Sequence, residues 1–328
     1  MGAEPSAGTN KAGAAIGVDL GGTKMLVGVV ADGPEVLHRS EAASVDRTTD
    51  EILDTLEGEL RKAVAAQPQV SSIGLGIPCT IDRARGLAIS AVNLPIVDVP
   101  IRDLMSERLG LPVEVDNDGN VAALAEHRWG AARGAQNAVL LTIGTGIGGG
   151  LILDGQVYRG STGAGAELGH IVIDADGPRC QGNCPNHGCV EAVASGTALG
   201  REARAAAERH PESALGKLLA AGDVVDGRAA TMAAIAGDEV AVAVVATIGR
   251  RIGVAMSGLA NVFEPDVIVV GGGVMAAGEL LLEPACEEMR ARALPPMNQT
   301  DVVAAELGAE AGMIGAATMA LETLQGVH

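Results

Sequence analysis

Apolar residues fall in short runs and helical stripes that alternate along the chain. Residues 15–30 (AIGVDLGGTKMLVGVV) read as two apolar strands joined by a tight DLGGTK turn, and residues 35–40 as a third strand after Ala31-Asp32-Gly33. Thr48 and Glu51 are spaced as a capping box ahead of Ile52, Leu53, Leu56, Leu60 and Val64, which predicts an amphipathic helix. Residues 72–77 form the next strand, ending at Pro78, and the loop GIPCTID follows with Asp82. Pro100 and Gly110 frame a helix over residues 101–109. A short strand at 113–115 runs into Asp116-Asn117-Asp118-Gly119-Asn120, and a helix over 121–129 stops at Gly130.

The opening arrangement then recurs. Residues 138–143 are a strand, GTGIGGG a glycine turn, 151–153 a strand, Asp154-Gly155 a hairpin signal and 157–158 a third strand. The letters differ from those of residues 15–40, but the layout is the same. It implies two copies of one βββ-plus-helices domain, each offering a glycine turn to a shared cleft, with a nucleotide's phosphates between the turns. After residue 191 the pattern is helical over 196–209, 212–221 and 238–263. A strand at 266–270 ends in Gly271-Gly272-Gly273, followed by a helix over 278–293, a strand at 301–304 and a closing helix over 312–324.

Composition narrows the class. The 328 residues have room for two domains. Apolar residues make up 48%, but only Trp129, Tyr158 and Phe263 are aromatic, so the core must be built from Ala, Val, Leu and Ile. Scarce aromatics and a net charge of −18 argue against nucleic-acid binding, which needs stacking platforms or a basic footprint. Residues 1–14 are small, polar and Gly/Ala-rich, and are expected to be a disordered tail rather than a secretory signal. No charge-free apolar run reaches eighteen residues, so no membrane span is expected. Five cysteines, three of them clustered, suit a reducing cytoplasm and a metal better than a disulfide framework.

Candidate chemistry concentrates at 163–191, GAGAELGHIVIDADGPRCQGNCPNHGCVE. His170, Cys180, Cys184 and Cys189 stand at H-x9-C-x3-C-x4-C spacing, a Cys3His set suited to a four-coordinate structural zinc. His187 is the alternative to Cys180, which is favoured because it already closes a tetrahedron. Glu167 and Glu191 flank the cluster. Asp19 faces the first glycine turn, whose backbone can approach phosphate oxygens. Asp118 lies at a strand-to-helix junction, where the helix dipole favours its ionised form. Taken alone, the DND run is read about two to one as an ordinary helix cap.

In order along residues 15–320, these motifs resemble the ROK family of repressors and sugar kinases. DLGGTK at 19–24 looks like its first phosphate motif, and DND at 116–118 is similar to its END-x-N segment with Asp116 in place of glutamate. GTGIGGG at 144–150 resembles its second phosphate loop, and GAELGH with GCVE resemble its sugar and zinc signature. GGG at 271–273 is placed like its adenosine loop. Two departures stand out: the first cysteine pair is separated by three residues with Pro185 after the second, and Cys79 stands where glycine is usual.

The resemblance implies an α/β, two-domain actin-like sugar-kinase ATPase fold. A small lobe would span 15–117 and a large lobe 118–310, with helix 311–328 packing back on the small lobe. It implies ATP-dependent phosphorylation of a hexose 6-hydroxyl, glucose first, with N-acetylmannosamine, N-acetylglucosamine, fructose or allose as alternatives. A sugar-sensing repressor is disfavoured by the acidity and by the short stretch before the first strand. Asp118 would accept the hydroxyl proton, while Asn93, Asn117, Glu167, His170 and Glu191 hold the sugar. Gly21, Gly22, Thr23, Lys24, Gly144, Thr145, Gly146, Gly271, Gly272 and Gly273 would serve the nucleotide, with Asp19 acting on Mg2+ through water. Lys24 is also compatible with a solvated strand position. The implied cofactors are ATP, Mg2+ and structural Zn2+; the expected partners are sugar and nucleotide, with the chain in a homo-oligomer (dimer or tetramer) and neither nucleic acid nor membrane bound.

Overall fold

The computed structural model describes residues 13–31, 33–91 and 94–326. The expected tail lies largely outside them, and its last residue, Ala14, already belongs to a strand. Strands β1 (Ala14–Leu20), β2 (Lys24–Ala31) and β3 (Val36–Ala43) form an antiparallel meander. Helix α1 (Thr49–Ala66) then crosses over, so that β4 (Val70–Ile77) lies parallel to β1. A small antiparallel sheet of β5 (Cys79–Asp82), β6 (Leu87–Ala91) and β7 (Val97–Val99) follows. Helix α2 (Ile101–Leu109) leads to β8 (Val113–Asn117), parallel to β4.

Helix α3 (Asp118–Trp129) opens the second half, whose meander is β9 (Ala138–Ile143), β10 (Ile147–Leu153) and β11 (Gln156–Tyr158). Five helices come next: α4 (Val190–Ala194), α5 (Gly196–Arg209), α6 (Ala214–Ala221), α7 (Gly227–Ile235) and α8 (Glu239–Phe263). β12 (Val267–Gly271) lies parallel to β9, and α9 (Glu279–Arg292) crosses to β13 (Asp301–Ala304). Helix α10 (Ala311–Gln325) closes the chain. The sheet orders β3-β2-β1-β4-β8 and β11-β10-β9-β12-β13 correspond strand for strand, so the repeated layout is a duplicated topology.

Strand residues sort by parity, as a period of two requires. Val139, Leu141 and Ile143 face the core under α5 and α8, whereas Ala138 and Leu140 face a layer formed by α3 and α10. Both faces are covered, so β9 is apolar but for Thr142. α1 keeps its predicted capping box and buries Ile52, Leu56 and Leu60 completely. Each such side chain contributes about 1.5–3 kcal/mol of transfer free energy.

The α3–α10 layer is packed backbone against backbone. A Cβ on Gly74 of β4 would lie 1.8 Å from the Ala316 carbonyl oxygen on α10. One on Gly315 would lie 1.7 Å from the Val121 carbonyl oxygen on α3, and one on Gly119 would lie 2.1 Å from that of Gly149 on β10. No side chain fits at any of these interfaces, which explains how a core almost without aromatics closes tightly. Trp129, at the end of α3, donates its indole N–H to Thr318 Oγ1 on α10 at 3.0 Å.

Several expectations need correction. The GIPCTID loop contains strand β5, and the last four residues of GTGIGGG belong to β10. α3 starts at Asp118 rather than at residue 121, capped by Asn117. α7 lies outside the predicted helices, because its GRAATMAAI sequence offers mostly small residues and no aliphatic stripe. α8 is long and apolar enough by composition to cross a bilayer, but Arg250 and Arg251 interrupt it, so it holds no charge-free run of eighteen residues, and 56% of its most apolar window is buried inside the protein.

Candidate active site

The parallel strands of each sheet end at one edge, and the predicted chemistry sits there. In the first sheet β1 ends in Asp19-Leu20 and the Gly21–Thr23 turn. The turn is closed by Gly21 N–H donating to the Lys24 carbonyl at 2.8 Å. Ser44, which sequence reasoning passed over, pins it by donating its hydroxyl to the Gly21 carbonyl at 2.6 Å. Lys24 projects outward and pairs with Glu41 at 3.0 Å. β8 ends at Asn117, whose side-chain oxygen accepts from Gly119 N–H at 2.8 Å and whose amide donates to the Cys79 carbonyl at 3.3 Å. One Asn117 N–H is left for a ligand. Asp118 is therefore the first residue of α3 and not its cap.

The acids sit close enough to feel one another. Burial, with the neighbouring Asp118 charge, pushes the Asp19 carboxyl up to about 7 against the opposing pull of Lys24. Asp19 also abuts the first turn of α10, where a Cβ on Gly312 would meet its carboxylate carbon at 2.7 Å. Asp118 is raised by burial, opposed by the Gly119 N–H. Burial also raises Glu167, with Asp118 and Glu191 adding repulsion and His170 opposing it. Cys79 is buried beside Asp118, and its thiol is pushed up to about 12, so it stays neutral.

The second sheet supplies backbone. The Gly144–Gly146 turn after β9 is tied to the start of α5. Gly196 N–H donates to the Gly144 carbonyl at 2.8 Å, and the Thr197 hydroxyl donates to the Thr145 carbonyl at 2.8 Å. Glu191 reaches the same turn, its Oε2 accepting from Ile147 N–H at 2.8 Å. Gly271 ends β12, and Gly272 adopts φ +91 with its α-carbon so close to Ile143 that a Cβ would fall 2.5 Å from that residue's backbone. Gly273 is exposed, with open space where a side chain would be. Asn93 lies outside the described residues.

His170, in the short 3-10 turn Leu168–His170, joins Cys180, Cys184 and Cys189, with ligand atoms all within 4.8 Å of one another. Cys180 Sγ is 3.6 Å from His170 Nδ1, and Cys184 Sγ is 3.9 Å from Cys189 Sγ. A tetrahedron with zinc–ligand bonds of the usual length has edges of about 3.6 Å (S to N) and about 3.8 Å (S to S). The donor set therefore fits zinc in both chemistry and spacing. His187 stays outside the cluster, exposed, with Nδ1 3.3 Å from the Gly177 carbonyl. Since Nδ1 of His170 faces the thiols, its Nε2 is the nitrogen left for a ligand. Cys180 Sγ lies 3.8 Å from Glu191 Oε1, so the cluster borders the acid directly.

Comparison with known proteins gives a consistent answer. The ROK family model matches residues 15–323. A glucokinase of Thermotoga maritima is 35% identical over 95% of this chain and 98% of its own length. One of Halalkalibacterium halodurans is 38% identical over 92% of each chain. Among solved structures, a ROK glucokinase from Streptomyces griseus in complex with glucose and AMPPNP superposes with TM-score 0.83 at 37% identity, covering 94% of this chain and all of that one.

Proposed function

The chain belongs to the ROK family, and from that premise we propose that it is an ATP-dependent glucokinase, transferring the terminal phosphoryl group of ATP to the 6-hydroxyl of glucose. The fold is the α/β actin-like sugar-kinase fold of its relatives. The observation that carries the reading is the convergence of Asp118, Glu167, His170 and Glu191 beside the glycine turn Gly144–Gly146.

Asp118 accepts the 6-hydroxyl proton as the new O–P bond forms and the bond to the leaving ADP oxygen breaks. In-line transfer with a loose transition state asks for alignment and charge neutralisation more than for a strong base. Asn117 offers its one free amide N–H to the sugar. Glu167 and Glu191 accept from ring hydroxyls, and His170 Nε2 adds a contact, charge-assisted bonds being the strong ones. Exposed backbone at Gly21–Thr23, Gly144–Gly146 and Gly272–Gly273 serves the nucleotide. Lys24, paired with Glu41, acts there only at long range.

His170, Cys180, Cys184 and Cys189 would hold zinc, whose four protein ligands make it structural rather than catalytic. Bound there, it would fix the His170 ring and the wall carrying Glu191. Asp19, buried beside a second carboxylate, fits a water-mediated Mg2+ site, and that ion would neutralise phosphate charge.

An ADP-release assay with Mg-ATP across glucose, mannose, fructose, allose and the N-acetylated hexosamines tests the reading. Glucose is expected to give the highest kcat/KM. A higher value for an N-acetyl sugar would change the substrate assignment, and no turnover with any hexose would overturn the kinase assignment.

A further inference from the structure

Behind the acid turn lies an ion pair between a buried carboxylate and a half-buried guanidinium that the reaction as described does not use. Asp116 is 1% exposed, and every contact of its carboxylate points toward the turn or across to the other sheet. Oδ1 accepts from Asn117 N–H at 2.8 Å and from the Asn120 side-chain amide at 2.9 Å. Oδ2 accepts from Arg159 Nε at 2.5 Å. The Asn117 and Asn120 contacts fix both sides of Asp118 in sequence, so the Asp116 carboxylate sets the pitch at which α3 starts.

Arg159 follows β11, in the second sheet. Its Nη1 donates to the Val157 carbonyl at 3.2 Å, which aims the guanidinium. Its own carbonyl accepts from Gly165 N–H at 2.9 Å, two residues before Glu167. One residue thus holds the acid turn of the first sheet by its side chain and the sugar-side segment of the second by its backbone. Arg83 stands nearby, with Nε buried and unpartnered and its closest carboxylate, Glu114, 4.0 Å away. It does not bond to Asp116, whose one ion pair among the described residues is with Arg159.

We propose that Arg159 is a positioning residue for phosphoryl transfer, acting through Asp116 to hold the Asn117–Asp118 turn in register with the Glu167 segment across the cleft. The proposal rests on Asp118 being the proton acceptor. Its prediction is a selective loss of kcat, because an error of about 1 Å in alignment costs on the order of 10²-fold in rate without removing a substrate contact.

The test is steady-state kinetics on Arg159→Gln, Arg159→Lys, Asp116→Asn and the double variant, with zinc content and thermal unfolding measured on each. Arg159→Gln is expected to lower kcat by about 10- to 100-fold, with KM for glucose within about threefold of wild type and zinc retained. Arg159→Lys, which keeps the charge and one donor, should recover part of that loss. The double variant should be no slower than the worse single one, since coupled residues are not additive. A wild-type kcat in Arg159→Gln, a raised KM with unchanged kcat, or additive losses in the double variant would each overturn the proposal. If Asp116→Asn fails to fold, the contrast between Arg159→Gln and Arg159→Lys decides alone. Asp118→Asn is the control: full turnover there removes the proton-acceptor assignment, whereas a dead Asp118→Asn beside a fast Arg159→Gln removes only the role of Arg159.

Discussion

The two five-stranded sheets share one topology and end in opposite chemistry. The first ends in carboxylates, Asp19 and Asp118, both raised above the usual carboxylate range by burial. The second ends in backbone, with Gly144–Gly146 tied to the start of α5 and Gly272 pressed on Ile143. The divergence begins after the third strand. In the first half only a turn separates β3 from α1, whereas in the second the whole metal-binding segment is inserted between β11 and α4. A duplicated scaffold thus supplies two equivalent edges, and the segment inserted into the second half brings Glu167, His170 and Glu191 beside its glycine turn.

The largest expected effect breaks the first edge alone. Asp118→Asn should lower turnover by about 10³-fold, within the range for loss of a general base, while glucose binding measured by calorimetry stays within a few-fold. Next comes the second edge. Zinc analysis should return about one ion per chain, and Cys184→Ser should lose it and raise KM for glucose by about 10-fold, leaving ATP-analogue affinity little changed. A zinc-free variant with normal KM would mean that the cluster does not support the sugar wall. The third probes the layer joining the halves. Gly315→Ala forces a methyl onto the Val121 carbonyl and should destabilise by about 3 kcal/mol, read as a lowered denaturation midpoint. By contrast, Gly58→Ala in α1, where no atom lies within 4 Å, should stabilise by about 0.5–1 kcal/mol.

The buried acid at the first edge also has a pH signature. A carboxyl whose native value is raised from 3.8 to about 7 binds more protons folded than unfolded between those limits. Stability contributed by this site therefore falls as pH rises through that window. Asp19→Asn should match wild type in thermal stability near pH 4 and exceed it progressively up to pH 7 and above, in metal-free buffer. A constant difference across the range would show that Asp19 stays ionised, held so by the α10 amino terminus.

Much of this was legible in the chain. The capping box of Thr48 and Glu51, the Pro100–Gly110 frame and the repeated meander gave elements whose cues are local, and each formed as expected. The ligand cluster was legible because its spacing reports its own chemistry. Arg159 was not, because its meaning lies in a partner 43 positions away on the other sheet. Ser44 and Thr197 were equally hidden, being ordinary hydroxyls until folding sets them on the glycine turns. The Asp118 cap reading failed because two adjacent residues competed for one N–H and Asn117 took the cap. α7 escaped because an alanine-rich helix buries too little to show a stripe.

The bond between Trp129 and Thr318 has a spectroscopic consequence. The sequence contains one tryptophan, and it is clamped between the two helices that separate the sheets. Indole emission from this protein therefore has a single origin, at the seam about which the halves would have to turn. Titrating unlabelled protein with glucose, then with a nucleotide analogue, reads that seam directly: a change in emission reports movement of α3 against α10, and none reports that the seam stays fixed.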